Sequence, residues 1–492
     1  MDSRPDFRTT GVWLAATALA ALAWWFGSGL QPHWWLTWLA PLPLLWLAPR
    51  TRARWLALAA FVAYAVGGLN LWPYLHEVIR LPSATIVMAI GGPALACMLA
   101  LLLYRRLLQR GHPVTATLAP ATLWVAIEYV NSLTSPHGTW GSVAYYQMDA
   151  LPVIQVAAVT GLWGISFWLW LLPAAMATQI RTNANSRSVA PLALALALAL
   201  SLLGLGYGAW RLQAPAGTTL RIGLLSLDAA PKPAFDSPVG QALLARSARA
   251  VDRLAMAGAK IVVMPETVFA SPAATLPALA QLSRQHDVIL DVGIDWHHDP
   301  HAERNTAMVY QPQEASPSLY FKHHLIPGFE SQYTPGDRYT LLKGMPRIGL
   351  AICKDMDFHD TGAAYAGRNA QLLLVPAWDF RIDGWLHARM AILRGVESGF
   401  AIARAASDGR LTLSDDRGRV LAEASSEGRD AELVGDLPLR MTRTPYTRWG
   451  DWFAWLSLIG LVVILVVALR GSRSSGGPHP DHEKCLPGLP HP

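Results

Sequence analysis

Seven apolar stretches, at 11–30, 34–48, 55–75, 84–104, 115–133, 153–176 and 190–210, precede a long polar segment, and an eighth at 452–469 follows it. A helix needs about 20 predominantly apolar residues to cross a bilayer, and most of these stretches approach that length. The pattern predicts an α-helical polytopic membrane domain of eight spans with a soluble domain inserted before the last. The second stretch is short and holds Pro41 and Pro43, so its limits are blurred. The first has the position of a secretory signal, but no small-residue cleavage site is evident and more spans follow, so it reads as a retained helix. Composition agrees, since 52% hydrophobic residues, 15% charged residues and 21 tryptophans suit a membrane protein with aromatic belts at the interface.

The arginines give an orientation. Arg4 and Arg8, then Arg50, Arg52 and Arg54, then Arg105, Arg106 and Arg110, then Arg181 and Arg187 fall in every second loop, and the loops between are nearly free of lysine and arginine. The positive-inside rule then predicts a cytoplasmic N-terminus, an external soluble segment, and a cytoplasmic C-terminus after Arg470 and Arg473. The net charge of +6 is a topology signal of this kind. No basic face and no glycine-rich phosphate loop supports nucleic-acid binding. Glu128 is a lone acid within an apolar stretch beside Asn131, whereas an ion pathway needs several such groups.

The expected division is a seven-helix membrane domain at 1–216, a soluble domain at 217–440, a return segment and eighth helix at 441–470, and a disordered cytoplasmic tail at 471–492 rich in Ser, Gly, Pro and His. In the soluble domain, short β-rich runs at 221–227, 260–265, 288–294, 307–310, 371–376 and 400–405, with another ending at Cys353, alternate with helical patterns such as 238–257. Such alternation predicts layers of sheet and helix.

Three of the strand ends carry reactive groups. Glu266 terminates K-I-V-V-M-P, where desolvation raises a carboxyl toward the range of a general base. Lys322 terminates S-P-S-L-Y-F, and it is one of only six lysines in a chain that otherwise uses arginine. Cys353 terminates R-I-G-L-A-I and is the only cysteine of the soluble segment, Cys97 lying in an apolar stretch and Cys485 in the tail. A thiol nucleophile needs a group to take its proton and a cation or donor for the oxyanion formed on attack. Glu266, Lys322 and the backbone N–H of Lys354 suit those roles. The Lys354 side chain either lowers the thiol pKa or points to solvent. No cofactor and no metal site is expected: the three cysteines lack metal-ligand spacing, and the histidine-bearing stretch 295–301 is polar, holds a proline and reads as a solvated loop.

M-P-E-T at 264–267, Y-F-K-H-H-L-I-P at 320–327 and A-I-C-K-D at 351–355, in that order, resemble the Glu, Lys and Cys motifs of the nitrilase or carbon–nitrogen hydrolase superfamily. The run at 390–409 is similar to the helix and strand that follow the family's cysteine. Together with the membrane layout, H-G-T-W-G-S-V-A-Y-Y-Q at 137–147 and P-Y-T-R-W-G-D-W at 445–452 resemble the superfamily's membrane branch, the apolipoprotein N-acyltransferases.

The resemblance implies an αββα sandwich with Glu266 as base, Lys322 as transition-state stabiliser, Cys353 as nucleophile and Glu330 as an auxiliary carboxylate. It implies a phospholipid acyl donor, a thioester, a diacylated apolipoprotein acceptor, and a place in a bacterial inner membrane with the catalytic domain on the periplasmic side. Lys354 and Asp355 depart from the branch's usual C-Y-E, which makes them candidates for substrate contact, Lys354 toward an anionic headgroup. Trp140, Trp378, Trp449 and Trp452 either line a lipid entrance or belong to belts and core. Two further readings are a membrane-tethered amidase or esterase, and a catalytically idle receptor or assembly factor.

Overall fold

The computed structural model describes residues 7–180, 190–215, 217–299 and 302–470. Arg4, Arg181, Arg187, Arg473, Cys485, Pro300, His301 and the tail 471–492 lie outside the described residues.

Among those described, five helices are long and apolar enough to cross a membrane, at Thr10–Gly27, Ala53–Leu71, Ser83–Gln109, Pro191–Leu212 and Trp452–Leu469. A sixth crossing is available if Leu151–Thr160 and Leu162–Gln179 count as one, but they meet at 119°. The eight spans expected from the sequence are thus not all recovered by length and apolarity among the described residues. The second stretch breaks at Pro41 into Leu36–Leu39 and Leu42–Leu47, since proline lacks the N–H that would continue a helix. The sixth turns at Gly161, whose φ of 66° is a left-handed conformation suited to glycine. The fifth is a 22-residue helix, Pro113–Thr134, whose threonines, Glu128 and Asn131 lower its hydropathy. Glu128 is spoken for, accepting hydrogen bonds from Trp124 Nε1 at 3.0 Å, Ser142 Oγ at 3.2 Å and Val143 N at 2.9 Å. It pins the following loop instead of serving a pathway.

Among the described residues the soluble part has twelve strands: β1 (Thr218–Ser226), β2 (Ile261–Val263), β3 (Phe269–Ser271), β4 (Ile289–Trp296), β5 (Arg304–Tyr310), β6 (Ser318–Phe321), β7 (Ile348–Leu350), β8 (Leu372–Trp378), β9 (Ala401–Ser407), β10 (Arg410–Ser414), β11 (Val420–Ser425) and β12 (Ala431–Leu439). One sheet runs β12-β1-β2-β4-β5-β6 with β3 beside β4, and the other β11-β10-β9-β8-β7. The cysteine strand, β7, is parallel to β8, and β8 is parallel to β9.

Strand alternation builds the layers. Ile261 and Val263 of β2 face the second sheet, joining Ile222, Leu224, Leu350, Leu374 and Ala403 between the sheets. Val262, Leu290 and Val292 point the other way, onto Leu243, Val251 and Leu279 of helices Pro238–Met256 and Pro277–His286. On the far side, Leu373, Val375 and Ile402 meet Tyr365 and Ala391 of helices His359–Ala366 and Gly384–Ser398. The order helix, sheet, sheet, helix follows.

Helix Gly384–Ser398 joins the two parts. Ala391 packs on the sheet, while Leu386, Met390, Leu393 and Val396 enter the same apolar cluster as Trp124, Trp163 and Trp170 of the membrane helices. Burying each such side chain contributes about 1.5–3 kcal/mol, so this joint has the character of a protein core and not of a flexible tether.

Candidate active site

The three strand ends converge. Lys322 Nζ donates to Glu266 Oε1 at 2.7 Å and to Glu330 Oε1 at 2.9 Å. Asn305 Nδ2 donates to the same two oxygens at 2.6 and 2.7 Å, and Glu330 Oε2 accepts from Ile326 N at 2.7 Å. One ammonium between two carboxylates leaves a net negative charge in a fully buried setting. Gly293 permits it, because a Cβ there would stand 2.5 Å from the Cα of Glu266. Lys322 is fixed through its backbone as well, its N–H bonding Asn305 O and its C=O accepting from Gly336 N, both at 2.9 Å.

Cys353 follows β7 and opens a short helical turn, Cys353–Asp357. Its φ of 43° is left-handed, a conformation that costs a non-glycine residue about 1–3 kcal/mol and marks functional turns. Its Sγ donates to Trp378 O at 3.5 Å, and the preceding carbonyl, Ala377 O, accepts from Glu266 N at 3.3 Å. The thiol therefore shares the end of β8 with the base candidate.

Burial, and then the Glu266 carboxylate, push the thiol well up, against the opposing pull of Lys322 and Arg404. Burial also raises Glu266; Lys322 counters it and Glu330 adds to it. Lys322 loses to burial but is held well above its ordinary value by Glu266, Glu330 and Cys353. A thiol pushed up beside a raised carboxyl and a protonated lysine suits deprotonation during attack better than a standing thiolate.

Asp355 is fully buried. It accepts from Tyr320 OH at 2.8 Å, Ile352 N at 3.0 Å, His323 N at 3.1 Å and His324 N at 2.8 Å. Burial opposes its charge, but His324 and the backbone donors hold it below the usual carboxylate range. It ties the loop after Lys322 to the turn bearing Cys353, and it presents nothing to a ligand. Lys354 points neither to solvent nor at the thiol: it is buried, with Nζ 3.0 Å from His137 Nδ1. Trp378 lends its carbonyl to the site, Trp452 Nε1 bonds Val159 O at 2.8 Å, and Trp449 is exposed. Asp295, His297 and Glu303 bring ligand atoms within 4.8 Å of one another, but the Lys232 ammonium stands 3.7 Å from Asp295.

Residues 16–175 match the apolipoprotein N-acyltransferase N-terminal domain, and residues 237–444 match the carbon-nitrogen hydrolase domain. The apolipoprotein N-acyltransferase of Geobacter metallireducens is 26% identical, over 86% of this chain and 88% of that one. Along most of its length the chain is similar to the apolipoprotein N-acyltransferases, with the domain of their N-terminal part followed by a carbon-nitrogen hydrolase domain. An (R)-stereoselective amidase from a Pseudomonas species is 33% identical, but over only 32% of this chain and 59% of its own length. Among solved structures, an amidase from a Nesterenkonia species is 25% identical with a TM-score of 0.39, covering 46% of this chain and 93% of that one.

Several neighbours of the site escaped the sequence reading. Arg404 pairs with Asp379, Nη1 to Oδ2 at 2.9 Å, and both act on the thiol. A Cβ on Gly409 would overlap that Asp379 carboxylate at 2.0 Å. From the membrane half, Thr139 bonds Asp357 O through its N–H at 3.0 Å and its hydroxyl at 2.6 Å, and Arg394 Nη2 reaches Thr139 Oγ1 at 3.1 Å. Tyr74 OH donates to Asp383 Oδ2 at 2.7 Å. Arg394, in the run after Cys353, was the available signal, but Thr139, its partner from the membrane half, lies 255 residues away.

Proposed function

We propose that the chain transfers a fatty acyl group from a phospholipid, through a thioester on Cys353, to the α-amino group of the N-terminal lipidated cysteine of an apolipoprotein. The observation that carries this reading is Lys322 held between Glu266 and Glu330 beside a strained, buried cysteine, on a domain cored into membrane helices.

In the first half-reaction Glu266 takes the thiol proton as sulfur attacks the ester carbonyl carbon. The third N–H of Lys322 and the backbone N–H of Lys354 stabilise the oxyanion. The carbon–oxygen bond to glycerol then breaks, Glu266 returns the proton to that oxygen, and a lysophospholipid leaves. In the second half the acceptor amine attacks the thioester, Glu266 takes its proton, and the thiolate departs and is reprotonated. Glu330 and Asn305 hold the Glu266–Lys322 pair in register, and Asp355 holds the turn.

The membrane supplies oriented acyl chains at high local concentration, which turns a difficult encounter into a local one. In this reading the chain divides as 1–216, 217–440 and 441–470, crosses a bacterial inner membrane eight times with its bent and broken segments included, and carries the catalytic domain on the periplasmic side with both termini cytoplasmic. Intact mass of the full-length protein after incubation with labelled phospholipid is the test. An acyl adduct that is absent in Cys353→Ser and discharges only when a diacylated lipopeptide is added is the expected result. Prompt release of free fatty acid without the lipopeptide would make the chain a hydrolase, and an unaltered mass with no product would leave it without acyl chemistry.

A further inference from the structure

A cavity of about 410 Å³ lies between helices Ser83–Gln109 and Pro113–Thr134, under the loop 135–142. Its walls include Met88, Gly92, Ile127 and Trp140, with His137 at the polar end. Met88 is 67% exposed on a helix apolar enough to span the membrane, and a Cβ on Gly92 would meet nothing within 4 Å. The space is thus apolar, unfilled and open on the side of the helices that meets lipid.

Through His137 the cavity wall reaches the side chain next to the nucleophile, Lys354. An ammonium only donates, so Lys354 Nζ donates to His137 Nδ1 at 3.0 Å, which leaves the imidazole proton on Nε2. Burial and the Lys354 charge pull His137 down to about 4, so the ring stays a neutral acceptor. Burial and the Lys322 charge work against the Lys354 ammonium, and the charges of Asp357, Cys353 and Glu330 favour it. Asp357 does not neutralise it alone, because that carboxylate also faces His387, Arg394 and Arg404. Glu128 lines the cavity too, but its oxygens are taken up by Trp124, Ser142 and Val143.

We infer that Lys354, aimed by His137, binds the phosphodiester of the donor phospholipid while an acyl chain of that lipid occupies the cavity between the two helices. This rests on the acyltransfer reading above. Phosphate and ester carbonyl are separated only by the glycerol backbone, and Lys354 and Cys353 are adjacent in the chain, so one lipid can satisfy both. Lys354 is on this account a specificity residue that touches the substrate, and His137 a positioning residue that acts through it.

The test compares two acyl donors on the full-length protein in detergent, following the acyl adduct on Cys353 by intact mass. Phosphatidylglycerol carries the phosphodiester, and p-nitrophenyl palmitate does not. Lys354→Met is expected to slow loading from phosphatidylglycerol about tenfold or more and loading from the palmitate ester no more than about twofold, the size expected for losing one charge-assisted contact. Lys354→Arg should restore most of the phosphatidylglycerol rate, and His137→Gln should raise the phospholipid concentration for half-maximal loading more than it lowers the maximal rate. Equal slowing with both donors would overturn the inference and move Lys354 to the thiol's own chemistry, and no slowing with either would overturn it outright. Wild-type protein that loads from the palmitate ester but from no phospholipid would instead remove the proposed function, and this inference with it.

Discussion

Glu330→Gln removes one of the two carboxylates that share the Lys322 ammonium, and its effect on Glu266 has a definite sign. Burial raises Glu266 first, Lys322 pulls it back, and the Glu330 charge raises it further. Both carboxylates touch one nitrogen, at 2.7 and 2.9 Å. Two like charges sharing one buried cation repel, so losing one of them lowers the pKa of the other. Reorientation of Lys322 toward Glu266 and of the new amide toward Ile326 absorbs part of this without reversing its sign. Because Glu266 must be ionised to accept the thiol proton, the rate of Cys353 acylation rises with pH through that apparent pKa. In the variant this acid limb moves to lower pH, and the plateau drops because a weaker base removes the proton. The assay is p-nitrophenol release in the first turnover from p-nitrophenyl palmitate, measured between pH 4 and 9. An acid limb that stays in place or moves upward would refute the claim that Glu330 sets the basicity of Glu266.

Three further outcomes are expected. Glu266→Gln abolishes turnover yet speeds alkylation of Cys353 by iodoacetamide at pH 7.5, because burial and the Glu266 charge together raise the thiol and only the second is removed; slower or unchanged alkylation contradicts this. Asp355→Asn turns an amide toward donors that need an acceptor, lowering stability by about 3 kcal/mol with loss of acylation, and a thermal midpoint equal to that of wild type would show the scaffold role to be wrong. Asp291 on β4 is buried with neither carboxyl oxygen hydrogen-bonded, and burial raises it well above its ordinary value. A raised carboxyl contributes stability below its unfolded pKa and loses it as pH climbs toward the folded value, by up to about 1.4 kcal/mol per pH unit. Asp291→Leu should therefore exceed wild type in thermal midpoint by a margin that widens from pH 5 to pH 8; a constant or shrinking margin counts against it.

What the sequence discloses about this protein is what local chemistry determines. Glu266, Lys322 and Cys353 each stand where an apolar run stops, so their places at strand ends could be read without neighbours, and the run after Cys353 gave the helix and strand that seat the soluble part. Strands β10, β11 and β12 were not read, since Arg410, Glu423, Glu432 and Asp436 interrupt their alternation, and β11 and β12 are only partly buried. The 119° turn at Gly161 was hidden because hydropathy averages over a bend. Asn305, Asp379 with Arg404, and His137 with Lys354 become partners only through tertiary contact, and no spacing announces them. Lys354 was left between two placements, and it took a third, because its partner sits on a loop 217 residues earlier.

The loop 135–142 belongs to the membrane half, yet it completes the turn on which the nucleophile sits. Gly138 lies so close that a Cβ would stand 2.7 Å from Asp357 O, and Thr139 caps that same carbonyl. A soluble half released from the ribosome's last products, or a copy whose helices were threaded wrongly, would own the sulfur but lack the bracket that finishes its surroundings. On the proposed function, seating of the membrane helices completes the turn that carries Cys353 and so ties acyl chemistry to molecules already in place beside their lipid.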